Sequence, residues 1–287
     1  MKTYQACVPC IINLMESTLG KGDLDDSARQ AILETFKEDW IMSDMSVPPA
    51  RTAGLIYQKI LQETGQEDLF RNHKETSVQE ALKLYPLLKK LVDGASDPLD
   101  AALRVSALGN ILDAGNPNSY DIDEEIARLF DGKIQGDSQD IFREKLASVD
   151  SLLFLADNAG ETVFDRVLIE ALNIPVLYVV KSAPALDDAL LADAKKAGVG
   201  QVARLFESGT PYPGTYLPSC SPEFRELFNN APLILAKGQA NYETLSDIDR
   251  DVFFLLIVKC EVISNDIGIP KGSLTLKYKQ PTSEVAG

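Results

Sequence analysis

The stretch Ser151-Leu-Leu-Phe-Leu-Ala-Asp157-Asn158-Ala-Gly160-Glu161 decides how this chain is read: an apolar, β-like run ends abruptly in an acid, an amide, a glycine and a second acid. In open α/β sheets, ligands bind in the crevice outside the carboxyl ends of the strands, so polar groups released there are aimed at a site. A carboxylate beside a carboxamide offers hard oxygen ligands, which suit Mg²⁺, Mn²⁺ or a similar divalent cation. The first expectation is an oxygen-ligated metal site at Asp157 and Asn158. The competing reading is a cap, because Asp-Asn after a strand commonly caps the helix that follows.

From about residue 150 onward, short β-rich runs alternate with helical patterns, at 151–156, 174–180, 200–205, 233–236 and 260–264. Such alternation implies parallel β-α-β units with right-handed crossovers and helices on both faces. The expected class is α/β, a three-layer α/β/α arrangement around a mainly parallel, doubly wound sheet. Residues 5–130 read differently. They are rich in helix formers, with apolar residues at three- and four-residue intervals, as in Ala53, Ile56, Tyr57, Ile60 and Leu61. The pattern predicts an all-helical N-terminal region over 1–130, packed on a metal-binding α/β/α domain over 131–279, with 280–287 a flexible tail.

A chain of 287 residues, 45% hydrophobic and 25% charged, has the composition of a soluble globular protein. No window is apolar enough to span a bilayer and the first residues lack a secretory h-region, so a cytoplasmic protein without a membrane partner is expected. The net charge of −15 disfavours nonspecific attraction to nucleic acid. An anionic substrate therefore needs local help from a metal or a lysine. The four cysteines are too few for a disulfide scaffold. Cys7-Val-Pro-Cys10 lacks both the preceding strand of a redox motif and the second pair of a zinc site, which predicts buried structural cysteines at a helix start. The single His73 excludes a His-rich zinc site and reads as a surface residue. The sequence assigns no oligomeric state.

Three strand ends carry polar groups that can converge: Asp157-Asn158, then Lys181 with Asp187-Asp188, then Lys237-Gly238-Gln239-Ala-Asn241-Tyr-Glu243. The combination suggests phosphoryl chemistry. A metal held by Asp157, Asn158 and an acid from Asp187-Asp188 can polarise a phosphate oxygen while Lys237 neutralises phosphoryl charge. Gly160 and Gly238 allow backbone N–H groups to approach an anion. Asp187-Asp188 can equally cap the helical pattern that follows, and the irregular segment 211–216 reads as either a connection or a substrate-facing loop. Asn110 and Asp113 share a helical face and, on composition alone, form a packing or capping pair.

These segments together resemble the domain-of-unknown-function-89 family, also called damage-control phosphatases or acidic-residue-methyltransferase-like proteins. The motifs are Asp157-Asn158-Ala-Gly160-Glu161, Lys181 with Asp187-Asp188, Lys237-Gly238-Gln239-Ala-Asn241-Tyr-Glu243 and the run from Asp251 to Cys260. Upstream, Gly109-Asn110-Ile-Leu-Asp113 and the Cys7/Cys10 pair extend the resemblance over nearly the whole chain, toward the compact prokaryotic branch. It implies metal-dependent hydrolysis of small phosphate monoesters, such as sugar phosphates, nucleotides or phosphopantetheine compounds, with Mg²⁺, Mn²⁺, Co²⁺ or Ni²⁺. By the same resemblance Asp157, Asn158 and Asp188 are the metal ligands, Lys237 is the phosphate-binding lysine, and Asn110 becomes a site residue. Lys181, Asn241, Gly160 and Gly238 are read as further substrate-binding positions, and Glu161 or Glu243 as the general acid. Attack by water and a covalent route through Asp157 both stay open. The rival activities are an S-adenosylmethionine-dependent carboxyl methyltransferase and a phosphometabolite-binding protein without turnover.

Overall fold

Among the described residues six strands form the sheet: β1 (Leu152–Leu155), β2 (Val176–Val180), β3 (Arg204–Glu207), β4 (Ile234–Lys237), β5 (Val252–Ile257) and β6 (Leu274–Lys279). The computed structural model describes the chain except residues 23, 37–41, 43, 114–121, 137 and 282–287, and except the side chains of 35, 110–113, 122, 123 and 129. The helices, in chain order, are α1 (Val8–Leu19), α2 (Asp26–Thr35), α3 (Pro49–Thr64), α4 (Arg71–Asp93), α5 (Pro98–Asp113), α6 (Ile122–Asp131), α7 (Gln139–Ser148), α8 (Glu161–Leu172), α9 (Leu191–Lys196), α10 (Pro222–Asn230), α11 (Gly238–Leu245) and α12 (Glu261–Ile267).

The strand order is β3-β2-β1-β4-β5-β6. The first five strands run parallel and β6 pairs antiparallel with β5. Side chains of a strand alternate between faces, and here alternate residues enter two different cores. Leu152 and Phe154 of β1, Leu235 of β4, and Phe253 and Leu255 of β5 pack with α4, α5, α7 and α8. Leu153, Leu155, Ile234, Ala236, Phe254 and Leu256 pack with α10, α11 and α12. The sheet is thus covered on both faces, which is why its central strands are continuous apolar runs. This is the expected three-layer α/β/α architecture.

The helices before residue 114 divide between two tasks. Helices α4 and α5 belong to one layer of the sandwich, whereas α1 and α3 build a third core around Ile11, Met15, Ile56, Tyr57 and Ile60. Leu186, from the loop after β2, enters this third core and joins it to the strand ends.

Two local expectations are corrected. The segment 260–264 is not a strand: it lies in α12, whose apolar positions Ile263 and Ile267 are four apart and whose end is set by Gly268 at φ +78°. The strand lies earlier, at β5, where all six residues are buried. The run expected at 200–205 begins as a 3-10 turn, Val199–Gln201, and becomes extended only at β3. The alternation that marks β6 was not anticipated.

Candidate functional site

Strand β1 pairs with β2 on one side and β4 on the other, so the chain reverses direction across the sheet between β1 and β4. At such a switch point the connections diverge and leave a crevice at the carboxyl ends. Asp157 and Asn158 follow β1 at this crevice, and Gly238 follows β4. Gly238 is at φ +75°, and a Cβ there would lie 1.7 Å from Oδ2 of Asp157. Only glycine leaves room for that carboxylate.

The loops after β1 and β2 are tied together by backbone. Asn158 and Asp188 form an isolated antiparallel bridge; the Ala189 N–H donates to the Asp157 carbonyl at 2.8 Å and the Ala159 N–H to that of Asp187 at 2.9 Å. Asp188 is oriented further, since its Oδ2 accepts from Lys181 Nζ at 3.0 Å and from the Gly214 N–H at 3.3 Å. The capping readings do not describe these acids. The N-cap of α8 is Gly160, without a side-chain cap, and the Leu190 N–H before α9 is taken by Asp193.

Asp157 and Asp188 are 5% and 2% exposed. Burial raises the Asp157 carboxyl well above the ordinary carboxylate range, and the neighbouring charges of Glu161 and Asp188 raise it further. Burial likewise pushes Asp188 up to about 6, although Lys181 pulls the other way. Two crowded carboxyls and a carboxamide on adjoining loops make an all-oxygen donor set, which a hard divalent cation fits and whose repulsion it would relieve.

A pocket of about 300 Å³ opens over these loops. Asp157, Asn158, Asp187 and Asp188 line one side; Gln239 and Glu243 of α11, with Lys259 beyond β5, line another. Ile11 and Leu14 of α1 and Ala53 of α3 form an apolar roof. Glu243 links roof to floor: its Oε2 accepts from the Ala50 N–H at 2.9 Å and its Oε1 from Gln239 at 3.1 Å. Ala50 lies in the first turn of α3, where N–H groups lack helical partners. Burial raises the Glu243 carboxyl, with Gln239 and the Ala50 N–H opposing.

The structure does not bring Lys237, Glu161 or Asn241 to the pocket wall. Lys237 is 0% exposed, and its Nζ donates to Glu161 and Asp165, each at 2.8 Å, and to the Ser106 carbonyl at 3.1 Å. The pleat explains this. Leu155 pairs with Ala236, so Lys237 stands one residue further along, on the face of Leu235 against α5 and α8, opposite Asp157. Asn241 is a structural clamp: it donates to the carbonyls of Ala156 and Lys237 and accepts from Thr215. Lys181 is likewise enclosed, at 2% exposure, beside Asp188. Asn110 lies in α5, and its side chain is outside the described residues.

Cys7 and Cys10 do stand at a helix start, but they are not buried: Cys7 is half-buried and Cys10 is exposed, on the pocket rim. The short first turn places them where the roof meets solvent. His73 is partly exposed, edge-on to Phe70. Gly214 and Pro213, from the irregular 211–216 loop, reach the site, so that segment is more than a connection. Gln239 and Lys259 were missed. Lys259 follows the longest buried apolar run, 252–258, and the strand-end rule finds it once β5 is placed there.

Residues 3–275 match the family described as the damage-control phosphatase ARMT1-like domain. The chain is 31% identical over 282 residues to a damage-control phosphatase of Pyrococcus horikoshii, covering 96% of this chain and 97% of that one. It is 32% identical over 288 residues to a damage-control phosphatase of Archaeoglobus fulgidus, covering 96% and 99%. Its fold is similar to the crystal structure of a domain-of-unknown-function-89 protein from Pyrococcus horikoshii, with a TM-score of 0.87 at 29% identity over 96% of this chain and 99% of that one.

Proposed function

The chain belongs to the damage-control phosphatase ARMT1-like family, and from that membership and the strand-end pocket we propose that it is a divalent-cation-dependent phosphatase of small phosphate monoesters. The observation that carries the reading is the meeting of Asp157, Asn158 and Asp188 at the β1/β4 switch point, facing one pocket. These three residues would hold the cation, with Mg²⁺, Mn²⁺, Co²⁺ and Ni²⁺ as the ions to compare. A bound dication supplies positive charge where a phosphoryl oxygen gathers negative charge. The pocket volume suits a small metabolite, such as a sugar phosphate, a nucleotide or a phosphopantetheine compound.

Hydrolysis requires that the phosphorus–ester oxygen bond break as a water oxygen bonds phosphorus, and that the leaving alkoxide receive a proton. Glu243 is the donor we assign. It faces the pocket, its position is fixed by Ala50 and Gln239, and burial favours the protonated carboxyl. Glu161 is enclosed against Lys237 and fits a supporting role. Lys181 and the Gly214 N–H orient Asp188, while Gly238 gives Asp157 its space.

Inorganic phosphate release from a panel of such monoesters, with each of the four cations in turn, tests the reading. Asp157→Ala should abolish the cation-stimulated release, and unchanged release in that variant sinks the assignment.

A further inference from the structure

Two loops meet at the Asp188 carboxylate: the loop after β2, which carries it, and the 211–216 loop, whose Gly214 N–H donates to its Oδ2 at 3.3 Å. One side chain of α3 binds both. Gln58 is half-buried, and its Nε2 donates to the Pro184 carbonyl in the first loop at 2.8 Å and to the Pro211 carbonyl in the second at 3.3 Å. Carbonyls in irregular loops have no ladder to supply a donor, and a carboxamide with two N–H bonds is suited to serve two of them at once.

The same face of α3 is shaped for this contact. Gly54 lies four residues before Gln58, one turn away on the same side of the helix. A Cβ at Gly54 would lie 2.7 Å from Cδ1 of Tyr212 and 2.9 Å from Cδ of Pro213, so glycine is what lets the helix come this close to the second loop. The first loop meets α3 through Leu186, whose side chain enters the core of Ile56, Tyr57 and Ile60. Helix α3 therefore sets the two loops relative to one another.

Short paths carry both contacts to Asp188. Next to Pro184, the Ala185 carbonyl accepts from the Asp188 N–H at 3.2 Å and closes the turn that presents the acid. Beyond Pro211 the chain reaches Gly214, held at φ +70° so close to α11 that a Cβ would lie 2.3 Å from the Ala240 carbonyl oxygen. A shift of either loop would turn the carboxylate. Oxygen ligands sit about 2.0–2.6 Å from a hard dication, and a site keeps that geometry only when the groups behind its ligands are themselves fixed.

We propose that Gln58 is a positioning residue of the cation site, which acts through Asp188 by tying together the loop that carries this acid and the loop that orients it. The role rests on Asp188 as a cation ligand in the phosphatase reading above. Gln58 is absent from the pocket wall formed by the described residues, so it works without touching cation or substrate.

The test measures Mn²⁺ binding by titration calorimetry, together with monoester turnover, in the wild type, Gln58→Met, Gln58→Glu and Leu19→Ala. Methionine keeps the length of the side chain without its donors, and glutamate sets a carboxylate against two carbonyl oxygens. Leu19, the last residue of α1 and 1% exposed in the core that α1 shares with α3, is a packing control. The expected result is a rise in Mn²⁺ Kd of about 10–100-fold in both Gln58 variants. Leu19→Ala should lower Tm and leave that Kd unchanged. An unchanged Kd in the Gln58 variants, alongside normal turnover, overturns the proposal and leaves the phosphatase reading standing. A rise confined to Gln58→Glu reports the added charge, and an equal rise in Leu19→Ala reports general loosening; either overturns the proposal. Cation binding that depends on Gln58 in a protein without turnover supports the positioning role and rejects the phosphatase reading. A wild type that neither binds Mn²⁺ nor releases phosphate from any monoester overturns both.

Discussion

Glu161 and Glu243 are both glutamates near the strand ends, yet their surroundings assign them opposite tasks. Glu161 is 0% exposed and accepts from Lys237 at 2.8 Å; Asp165, on the next turn of α8, accepts from the same ammonium and from Ser106 and Tyr178. Burial alone would disfavour the Lys237 ammonium, but Asp165 and Glu161 together hold it protonated. Such a buried network is sensitive to the loss of one member, at a cost of about 3–5 kcal/mol, because the remaining charges lose compensation without regaining water. Glu161→Gln should therefore lower the unfolding free energy by that order in urea titrations. Glu243→Gln should leave stability nearly unchanged and reduce kcat by about 10²–10⁴-fold, the usual worth of a general acid. The sign of the pH effect follows from the raised Glu243 carboxyl, which is protonated and competent below its pKa. The wild-type rate should fall as pH rises through that value, and the limb should vanish in Glu243→Gln. Equal stability losses with equal rates in the two variants would contradict this division.

The loop from β2 to α9 does at the scale of an element what Gly238 does at a residue. Leu186 is at φ +56°, a left-handed conformation that costs a leucine about 1–2 kcal/mol. The loop keeps it because the side chain is 8% exposed in the core formed by α1 and α3. Packing of the roof and the direction of the loop are thereby coupled, two residues before Asp188. Leu186→Ala loses the packing and keeps the strain, and is expected to destabilise by about 2–3 kcal/mol. Leu186→Gly loses the packing but relieves the strain. It should be at least as stable as the alanine variant, the reverse of the order found at ordinary positions. Denaturant midpoints of the two variants decide it; glycine lower than alanine by about 1 kcal/mol would show that the conformation carries no strain.

At the scale of the whole molecule, the acids at the sheet's carboxyl edge link stability to pH and to cations. With a chelator present, the raised Asp157 and Asp188 carboxyls bind protons more tightly in the native state than in the unfolded one. Their contribution is full below the unfolded value of about 4 and is lost as pH rises through about 6 for Asp188. A divalent cation acts in the opposite direction, since it needs both carboxylates ionised. At one hundred times its Kd it should stabilise by about 2.7 kcal/mol, or roughly 5–10 °C in Tm, at pH 8, and by much less at pH 5. Equal shifts at the two pH values, measured by differential scanning fluorimetry, would argue against these carboxyls as the cation's ligands. The sequence carried much of this architecture in its own periodicities. Apolar runs followed by acids and amides marked the strand ends, and alternation with helical patterns gave the parallel, three-layer class, because those patterns reflect burial on both faces of a sheet. The run 252–258 was as apolar as any, but β-branched Val262 and Ile263 drew the expected strand to 260–264, where four-residue spacing makes a helix. The polar residues at the strand ends were legible one by one; which of them share a space was not. Register and pleat turn Lys237 into the helical layer and leave Asp157 facing the pocket, and the β2 loop brings Asp188 to Asn158. The place of Lys259 depends on where β5 ends against α11. The sequence by itself determined which groups lie at the carboxyl edge, since strand composition is local; tertiary structure alone decided which of them meet, because a one-residue difference in register sends a side chain to the opposite face of the sheet.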